Sequence, residues 1–509
     1  MSFRLRLPIL LASLVAIPAI AQPAATPAVV SAPPSFKITF DPALQPGPYT
    51  GRVYIALSRD PVKEPRDGMG SWFNPPPLYS LDVSRIAPGG TVTIDGSALY
   101  NPTPLDKLEP GEWHVQAVAR RSLDCPDPGR GPSDLYSDPQ TFSLPGAAAP
   151  IELRLTNVVQ ATPFQETDDA KLFEMVSPSL SKFLDHEFTL HAGVILPDGW
   201  AAHPDEHYPI VYIIPGFGGD HMAASRMSRR RGPEDPTRKV LQVILDPKCF
   251  LGHSVFADSA NNGPWGAALV TELIPALEAR FRGPQDPNHR YVTGGSSGGW
   301  GSLWVMITHP DDFASCWSHV PDPVDFRDFQ RIDLYKPGTN MFKDEEGNRR
   351  PLARQGDKVL LYYDDFVARE TVVGPGGQIH SFEACFSPHG PDGKPLLVFD
   401  RTTGAVNTEV AKTWEAYDIR LYLERHWDTL GPKLAGKLHI FAGEVDTFYL
   451  EGAVKLLKPA LEQLGGDAEV IIVPGMAHQG YSEGNDEMYR TILANWARAH
   501  PADATPAGN

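Results

Sequence analysis

The sequence lacks the features that mark nucleic-acid-binding and membrane-spanning proteins. It has no basic run, since 45 Lys and Arg residues stand against 62 Asp and Glu residues, for a formal net charge of −17 over 509 residues. An acidic chain of this kind is a poor candidate for binding nucleic acid or anionic membranes. Beyond the N-terminus no stretch is apolar enough to span a bilayer. We find no internal repeat.

Cysteine is scarce, and the four cysteines are Cys125, Cys249, Cys316 and Cys385. Their wide spacing matches no zinc site and dictates no disulfide pairing. One or two disulfides would suit an oxidising compartment, and buried free thiols suit the spacing at least as well. We therefore expect the cysteines not to carry the chemistry, and the sequence implies no metal and no organic cofactor.

Residues 1–21 have the pattern of an export signal. Two arginines precede a short apolar run, which ends in Ala19-Ile20-Ala21, and cleavage is expected before Gln22. A membrane anchor is the alternative, but the apolar run is short and two prolines interrupt it. A Pro/Ala-rich linker follows at 22–35. The mature protein is expected to be soluble and either periplasmic or secreted.

The rest of the chain divides into two regions by its hydrophobic pattern. At 36–159, short alternating segments such as FKITF and IELRLTNV are separated by Pro, Gly and Asp clusters, which predicts an antiparallel, Ig-like β-sandwich. At 160–500, apolar strands alternate with helical segments, which predicts an α/β domain with a mostly parallel sheet flanked by helices. The alternation fails at 322–431, a polar, Gly/Pro-rich stretch that we interpret as an insertion near the active-site edge. We expect a flexible tail at 501–509.

The stretch RYVTGGSSGGWGSLWV, residues 290–305, is typical of a strand, a glycine-rich turn and a helix. Two overlapping Gly-x-Ser-x-Gly patterns make either Ser296 or Ser297 a candidate nucleophile. In a nucleophile elbow, a sharp turn of this kind lifts a serine to the carboxyl edge of the sheet. Gly/Ser-rich turns are also common without any catalytic role, so the pattern needs partners elsewhere in the chain.

A catalytic serine needs a base and an orienting acid, and in this arrangement they follow it in the order acid, then histidine. Asp446 comes just after the apolar segment KLHIFAG, and His478 comes just after VIIVPG. Glu444 is a rival acid, and Asp446 could instead cap a helix. The joint occurrence of these groups at strand ends in the right order favours a Ser-His-Asp triad.

The negative charge that develops in acyl transfer needs N–H donors, usually two backbone amides. The glycine-rich turn at 215–219 ends an apolar strand and supplies one donor, which we assign to the amide of Phe217. The residue after the nucleophile supplies the other, which is Ser297 if Ser296 attacks. A plain glycine turn is the alternative for 215–219.

Two further loops contain candidate substrate contacts. Asp258, Asn262 and Trp265 lie before the helix that precedes the elbow strand and could line a pocket. A turn that caps this helix is an equally good interpretation. Asp322 and Asp325 follow the strand after the elbow helix, and we expect them to be solvated loop acids.

Together these residues resemble the putative-esterase family of α/β-hydrolases, the group around esterase D, feruloyl and acetylxylan esterases, mycolyltransferases and enterochelin esterases. The family elbow, Gly-x-Ser-x-Gly-Gly and then an aromatic residue, matches in one register only, with Ser296 as nucleophile. The resemblance extends over about 165–500. Pro215 departs from the histidine of many members, and 322–431 is longer than in a minimal member. A β-sandwich before the esterase domain is similar to the arrangement of enterochelin esterases.

The resemblance implies an α/β-hydrolase fold and a serine ester hydrolase that acts through an acyl-enzyme. Its triad would be Ser296, His478 and Asp446, and its substrate an acylated carbohydrate, a siderophore-like ester or a related small-molecule or glycan-linked ester. An acyltransferase, in which a second alcohol replaces water, is one alternative. A peptidase and a non-catalytic binding protein on the same scaffold are others.

Overall fold

The computed structural model describes residues 33–146 and 149–501. The predicted export signal, most of the predicted linker and all but the first residue of the predicted tail lie outside these ranges. Within them, every helix is too short or too polar to cross a bilayer.

Nine strands of the first region form one sheet. Their bounds are β1 Phe36–Phe40, β2 Tyr49–Ser58, β3 Leu78–Ile86, β4 Thr91–Ile94, β5 Leu99–Asn101, β6 Gly111–Ala119, β7 Leu135–Ser137, β8 Gln140–Leu144 and β9 Ile151–Val158. The strand order is β4-β1-β9-β7-β6-β2-β3-β5, and β8 also pairs with β6. The β1–β9 pair is parallel, and the other pairs are antiparallel.

Alternating side chains of this sheet form a hydrophobic core. In β1, Phe36, Ile38 and Phe40 are fully buried, while the residues between them are half-buried. Leu153 of β9 and Trp113 of β6 belong to the same core. This burial follows from the period of two in the sequence, because successive strand residues point to opposite faces.

Eight strands form a second sheet. Their bounds are β10 Ala170–Val176, β11 Thr189–Ile195, β12 Ile210–Ile214, β13 Leu241–Leu245, β14 Arg290–Gly295, β15 Ser315–His319, β16 Leu438–Gly443 and β17 Glu469–Val473. Their order is β10-β11-β13-β12-β14-β15-β16-β17. β11 is antiparallel to both of its neighbours, β10 and β13, and every other adjacent pair in this sheet is parallel. This is the α/β-hydrolase topology, so the fold class expected from the sequence is confirmed.

Helices cover both faces of this sheet. Their bounds are α1 Pro178–Leu184, α2 Ala223–Ser228, α3 Trp265–Ala268, α4 Ile274–Phe281, α5 Ser297–Thr308, α6 Tyr363–Val373, α7 Gln378–Phe386, α8 Thr408–Thr413, α9 Ile419–Leu434, α10 Glu451–Gln463 and α11 Ser482–Ala499. A π-helical turn, Leu269–Leu273, joins α3 to α4. Residues 297–307 of α5 are all buried, since the helix is apolar on every side.

The stretch 322–431 is a folded part of the α/β domain. It contains α6, α7, α8, most of α9 and the hairpin Pro351–Gln355/Lys358–Tyr362. Its scattered aromatic residues, among them Phe326, Phe386 and Trp414, are buried in the same core as the central sheet. The composition of this stretch does not predict the packing, because polar and glycine-rich turns separate the aromatic side chains along the chain.

The outer face of the first sheet packs on the C-terminal end of α6. Three side chains of β2 and β3 donate hydrogen bonds to the last carbonyls of α6: Arg52 to Thr371 at 2.7 Å, Tyr54 to Val373 at 2.7 Å and Ser80 to Val372 at 2.8 Å. The last four carbonyls of a helix have no partner within the helix. The N-terminal domain therefore supplies the cap that α6 lacks.

Arg369 of α6 also binds the N-terminal domain. The guanidinium of Arg369 donates to the carbonyls of Gly68, Met69, Pro76 and Asn101 at 2.8–3.2 Å. Its burial lowers its pKa to about 10. Because three of these carbonyls belong to the connection between β2 and β3, this connection is held against the α/β domain.

The cysteines are free thiols in the structure. Cys249, Cys316 and Cys385 are buried, and Cys125 is half-buried. Burial raises the pKa of Cys249 and of Cys316 to about 12, so these thiols are poor nucleophiles.

Candidate active site

Ser296 occupies a sharp turn between β14 and α5. Its backbone has φ +59° and ψ −126°, a conformation that L-residues rarely adopt and that costs on the order of 1–3 kcal/mol. A Cβ at Gly298 would lie 1.9 Å from the carbonyl oxygen of Ile214, and one at Gly294 would lie 2.2 Å from that of Gly298. Glycine is therefore required at both positions for strand and helix to approach. The turn leaves Ser296 half-buried at the carboxyl edge of the sheet.

Ser297 is the first residue of α5, and its side chain is buried. Its hydroxyl donates to Asp322 Oδ2 at 2.5 Å and accepts from Gln378 Nε2 at 3.0 Å. A hydroxyl enclosed in this way cannot reach a substrate. Of the two candidate serines, the geometry favours Ser296 as nucleophile.

Asp446 and His478 meet at the ends of β16 and β17. His478 Nδ1 lies 2.8 Å from Asp446 Oδ2, and Asp446 Oδ1 accepts from the amide of Phe448 at 2.8 Å. Because an ionised carboxylate only accepts hydrogen bonds, Nδ1 carries the proton and Nε2 is left as a base. Glu444, the rival acid, is exposed and accepts from the amide of Gly475 instead.

The loop 215–219 after β12 approaches the elbow closely. A Cβ at Gly216 would lie 3.3 Å from Ser296 Cβ. Within residues 33–146 and 149–501, the amides of Phe217 and Ser297 have no hydrogen-bond acceptor. Two free N–H groups beside a candidate nucleophile are suited to holding an oxyanion.

His253 supports this loop and was not singled out from the sequence. Its Nε2 lies 2.8 Å from the carbonyl oxygen of Pro215, and its Nδ1 accepts from the amide of Val255 at 3.0 Å. Nε2 therefore carries the proton and donates to Pro215. Burial lowers the pKa of His253 to about 4. A neutral imidazole thus fixes the backbone two residues before Phe217.

The prediction that Asp322 and Asp325 are solvated is wrong. Asp325 is fully buried and pairs with Arg327 at 2.6 Å and Arg420 at 2.9 Å, so it is a structural acid. Asp322, the first residue of the insertion, is also buried, and Gln378 lies 3.3 Å from its Oδ2. The sequence could not show this, because Gln378 and Arg420 are more than fifty positions away from these acids.

Asp322 contacts both serines of the elbow. Ser296 Oγ donates to its Oδ1 at a long 3.5 Å, and Ser297 Oγ donates to its Oδ2. Burial raises the pKa of Asp322 to about 6; the hydrogen bond from Ser297 and the nearby His478 oppose this rise, and Asp446 adds to it. Ser296 thus has the carboxyl of Asp322 beside it, in addition to the carboxyl of Asp446 that pairs with His478.

Of the three candidate substrate contacts before α4, Asn262 and Trp265 are buried and Asp258 is exposed. Asp258 Oδ1 accepts from the amide of Ala267 and so satisfies one N–H in the first turn of α3. Trp265 is buried against Phe188 and Phe256. Asn262 is buried as well, and its backbone carbonyl accepts from the Trp265 indole at 3.0 Å. The alternative interpretation of this loop, a turn that caps the helix, describes it better than substrate binding.

The N-terminal domain contributes an aromatic side chain to the site. Trp72, between β2 and β3, has ring centroid distances of 5.7 Å to Phe217, 4.8 Å to Phe366 and 6.1 Å to Phe448. Phe448 in turn packs edge-on against His478 at 4.9 Å. Trp72 therefore contacts Phe217 of the loop 215–219, and the ring of Phe448 separates it from His478.

Comparison with known proteins identifies a family for the region around the elbow. Residues 182–372 match the family model described as "Putative esterase". The matched region includes Ser296 and ends before Asp446 and His478. Two curated relatives, Esterase MT1326 and Esterase Rv1288 from two strains of Mycobacterium tuberculosis, are each 30% identical over 139 residues, or 27% of this chain. The match spans only 30% of the length of these relatives.

Solved structures give weaker similarities. A ferulic acid esterase has a TM-score of 0.39 at 13% identity, covering 64% of this chain and 98% of its own. The fluorophosphonate-binding serine hydrolase FphF of Staphylococcus aureus has a TM-score of 0.38 at 14% identity, covering 64% and 97%. An S-formylglutathione hydrolase from Agrobacterium tumefaciens has a TM-score of 0.37 at 16% identity, covering 64% of this chain and 94% of its own.

Proposed function

We propose that the protein, whose residues 182–372 belong to the putative-esterase family, is a carboxylic ester hydrolase that acts through an acyl-enzyme on Ser296. One observation carries the proposal. Ser296 has a strained backbone between β14 and α5, at the same sheet edge where His478 pairs with Asp446 at 2.8 Å. A serine, an acid and a histidine at the carboxyl ends of β14, β16 and β17 are the set of groups that acyl transfer requires.

Acylation begins with rotation of the Ser296 hydroxyl from Asp322 toward His478. His478 Nε2 takes the hydroxyl proton as Oγ forms a bond to the ester carbon, and Asp446 stabilises the imidazolium that results. The amides of Phe217 and Ser297 hold the oxyanion of the tetrahedral intermediate. Collapse of this intermediate breaks the bond to the alcohol, which takes the proton from His478 and leaves.

Deacylation repeats these steps with water. His478 removes a proton from the water molecule as its oxygen attacks the acyl carbon, and the same amides hold the second oxyanion. The intermediate then releases Ser296 Oγ, which recovers its proton from His478. An acylated carbohydrate, a siderophore-like ester or a related small ester fits this chemistry, and the N-terminal pattern of residues 1–21 supports action outside the cytoplasm.

The test is labelling of the protein with a fluorophosphonate, followed by peptide mapping. We expect the label on Ser296, its loss in Ser296→Ala and its strong reduction in His478→Ala. Ser297→Ala is the matched control, since it changes the neighbouring serine and should still be labelled. A label on Ser297, or none while a control hydrolase reacts, would contradict the proposed role of Ser296.

A further inference from the structure

A cavity of about 270 Å³ lies between the N-terminal domain and the α/β domain. Residues 66–72 and 126–130 of the N-terminal domain form one wall; Phe217, part of α6 and the glycines before α7 form the other. The cavity approaches the lower end of the ~300–1,000 Å³ range of small-molecule sites. Ser296 and His478 do not line it. It meets the active site at Phe217, whose amide is the proposed oxyanion donor.

Three aromatic side chains, Trp72, Phe217 and Phe366, share the lining with six charged ones, and they meet where the cavity reaches Phe217. Trp72 and Phe217 are tilted by 34° with centroids 5.7 Å apart, and Phe366 meets Trp72 edge-on. Trp72 is only half-buried, so part of its ring faces the cavity. Aromatic faces favour a flat ring as a partner, through buried area and through stacked or edge-on geometry.

The wall formed by the N-terminal domain is held rigidly. Arg369 fixes the carbonyls of Gly68 and Met69, which precede Trp72. Arg66 donates to the carbonyl of Gly129 at 2.5 Å and lies 4.2 Å over the ring of Tyr136, which connects the two segments of the wall. A wall with fixed backbone loses little entropy when a ligand binds, so it suits selection of a substrate by shape.

We propose that Trp72 and this cavity bind a flat, ring-bearing half of the ester, which makes the N-terminal domain a specificity-determining part of the substrate site. The inference rests on the proposed function of Ser296. An ester with two small halves reacts without entering the cavity. An ester with a ring on the acyl or on the alcohol side places that ring against Trp72 while its carbonyl lies beside Phe217.

The experiment compares three esters on the full-length protein. Vinyl acetate is small on both sides, vinyl 2-naphthoate has a flat acyl half, and 2-naphthyl acetate has a flat alcohol half. In Trp72→Ala we expect kcat/KM for at least one naphthyl ester to fall about tenfold or more relative to kcat/KM for vinyl acetate, mainly through KM. The ester that loses activity tells which half occupies the cavity.

Phe73→Ala is the matched control. Phe73 is the neighbouring aromatic residue, 45% exposed and outside the cavity lining, so this variant should stay within about twofold on all three esters. Trp72→Phe should recover most of the loss. Equal losses of Trp72→Ala on all three esters, or no loss on any, would overturn the proposal.

Fluorophosphonate labelling of the same preparations distinguishes a failure of the proposed function of Ser296 from a failure of the proposed role of Trp72. If wild-type Ser296 is not labelled and no ester is cleaved, the proposed function fails and this inference fails with it. If Ser296 is labelled in Trp72→Ala and the preference among the three esters does not change, only the role of Trp72 is wrong.

Discussion

Two loops at the sheet edge each bring a buried aspartate to the elbow, and their surroundings differ. Asp446, after β16, has the amides of Phe448 and Leu450 on one oxygen and His478 on the other. Asp322, after β15, faces two serine hydroxyls and the side-chain amide of Gln378. The first arrangement suits an acid that orients an imidazole. The second leaves a carboxyl whose pKa burial raises to about 6.

The largest expected effect tests which aspartate belongs to the triad. Asp446→Asn should lower kcat on vinyl acetate about 10³–10⁴-fold, because an asparagine no longer orients the Nδ1–H form of His478 and stabilises no imidazolium. Asp322→Asn, the matched variant in the other loop, should stay within about tenfold at about pH 7. If Asp322→Asn lost as much as Asp446→Asn, the roles of the two loops would be reversed.

The buried His253 should change the unfolding free energy with pH in the opposite direction to Asp322. The pKa of His253 is lowered from 6.5 to about 4, so its stabilising contribution is complete above the unfolded value and is lost as pH falls through the folded value. Between about pH 7 and pH 4.5, wild type should lose about 2–3 kcal/mol more unfolding free energy than His253→Gln. Urea unfolding of both proteins at these two pH values measures the difference. Equal losses would show that burial does not lower the pKa of His253.

Asp322 should show the opposite trend. Its folded pKa is raised from 3.8 to about 6, so its contribution is complete below the unfolded value and is lost as pH rises through the folded value. Asp322→Asn removes this loss, and its unfolding free energy relative to wild type should rise by about 2 kcal/mol from about pH 4 to pH 7.5. The measurement is urea unfolding at both pH values. A pH-independent difference between the two proteins would show that burial does not raise this pKa.

The smallest expected effect comes from the insertion. Gln378→Ala removes the hydrogen bonds to Ser297 Oγ and Asp322 and should cost about 1 kcal/mol of unfolding free energy at about pH 7. Activity on vinyl acetate should fall less than about fivefold, since Gln378 contacts no proposed triad member. A loss near that of Asp446→Asn would instead make Gln378 part of the catalytic machinery.

Local pattern predicted most of the fold. The segments FKITF and RYVTGG became β1 and β14 within their predicted bounds, because period-two alternation and glycine-rich turns act over a few residues. Strand β3, with the sequence LYSLDVSRI, follows the same alternation. The structure also brings Asp446 to His478, whose places at consecutive strand ends could be read from the order of the strands.

The parts of the site that were missed depend on contacts between distant segments. Trp72 reaches the elbow region from the N-terminal domain, and Gln378 reaches it from the insertion. The sequence predicts a solvated acid at Asp322 because its own neighbours are polar or turn residues. It makes Trp265 a candidate substrate contact because an aromatic side chain in a polar loop gives no sign of being buried. Hydrophobic periodicity within a segment carries no information on such contacts.

The side chains of the first domain that cap α6 are synthesised well before α6 itself, so the two parts cannot pack together until late in synthesis. Arg52 and Thr371 are 319 residues apart in the sequence. At about 5–20 residues per second, the carbonyls that Arg52, Tyr54 and Ser80 bind are made roughly 15–60 s after these side chains. During this interval the strand face with Leu78 and Val118 lacks Val372 and Val373, the two α6 residues of its hydrophobic cluster. A nascent or truncated chain that stops before α6 therefore exposes an apolar surface for chaperones or for aggregation.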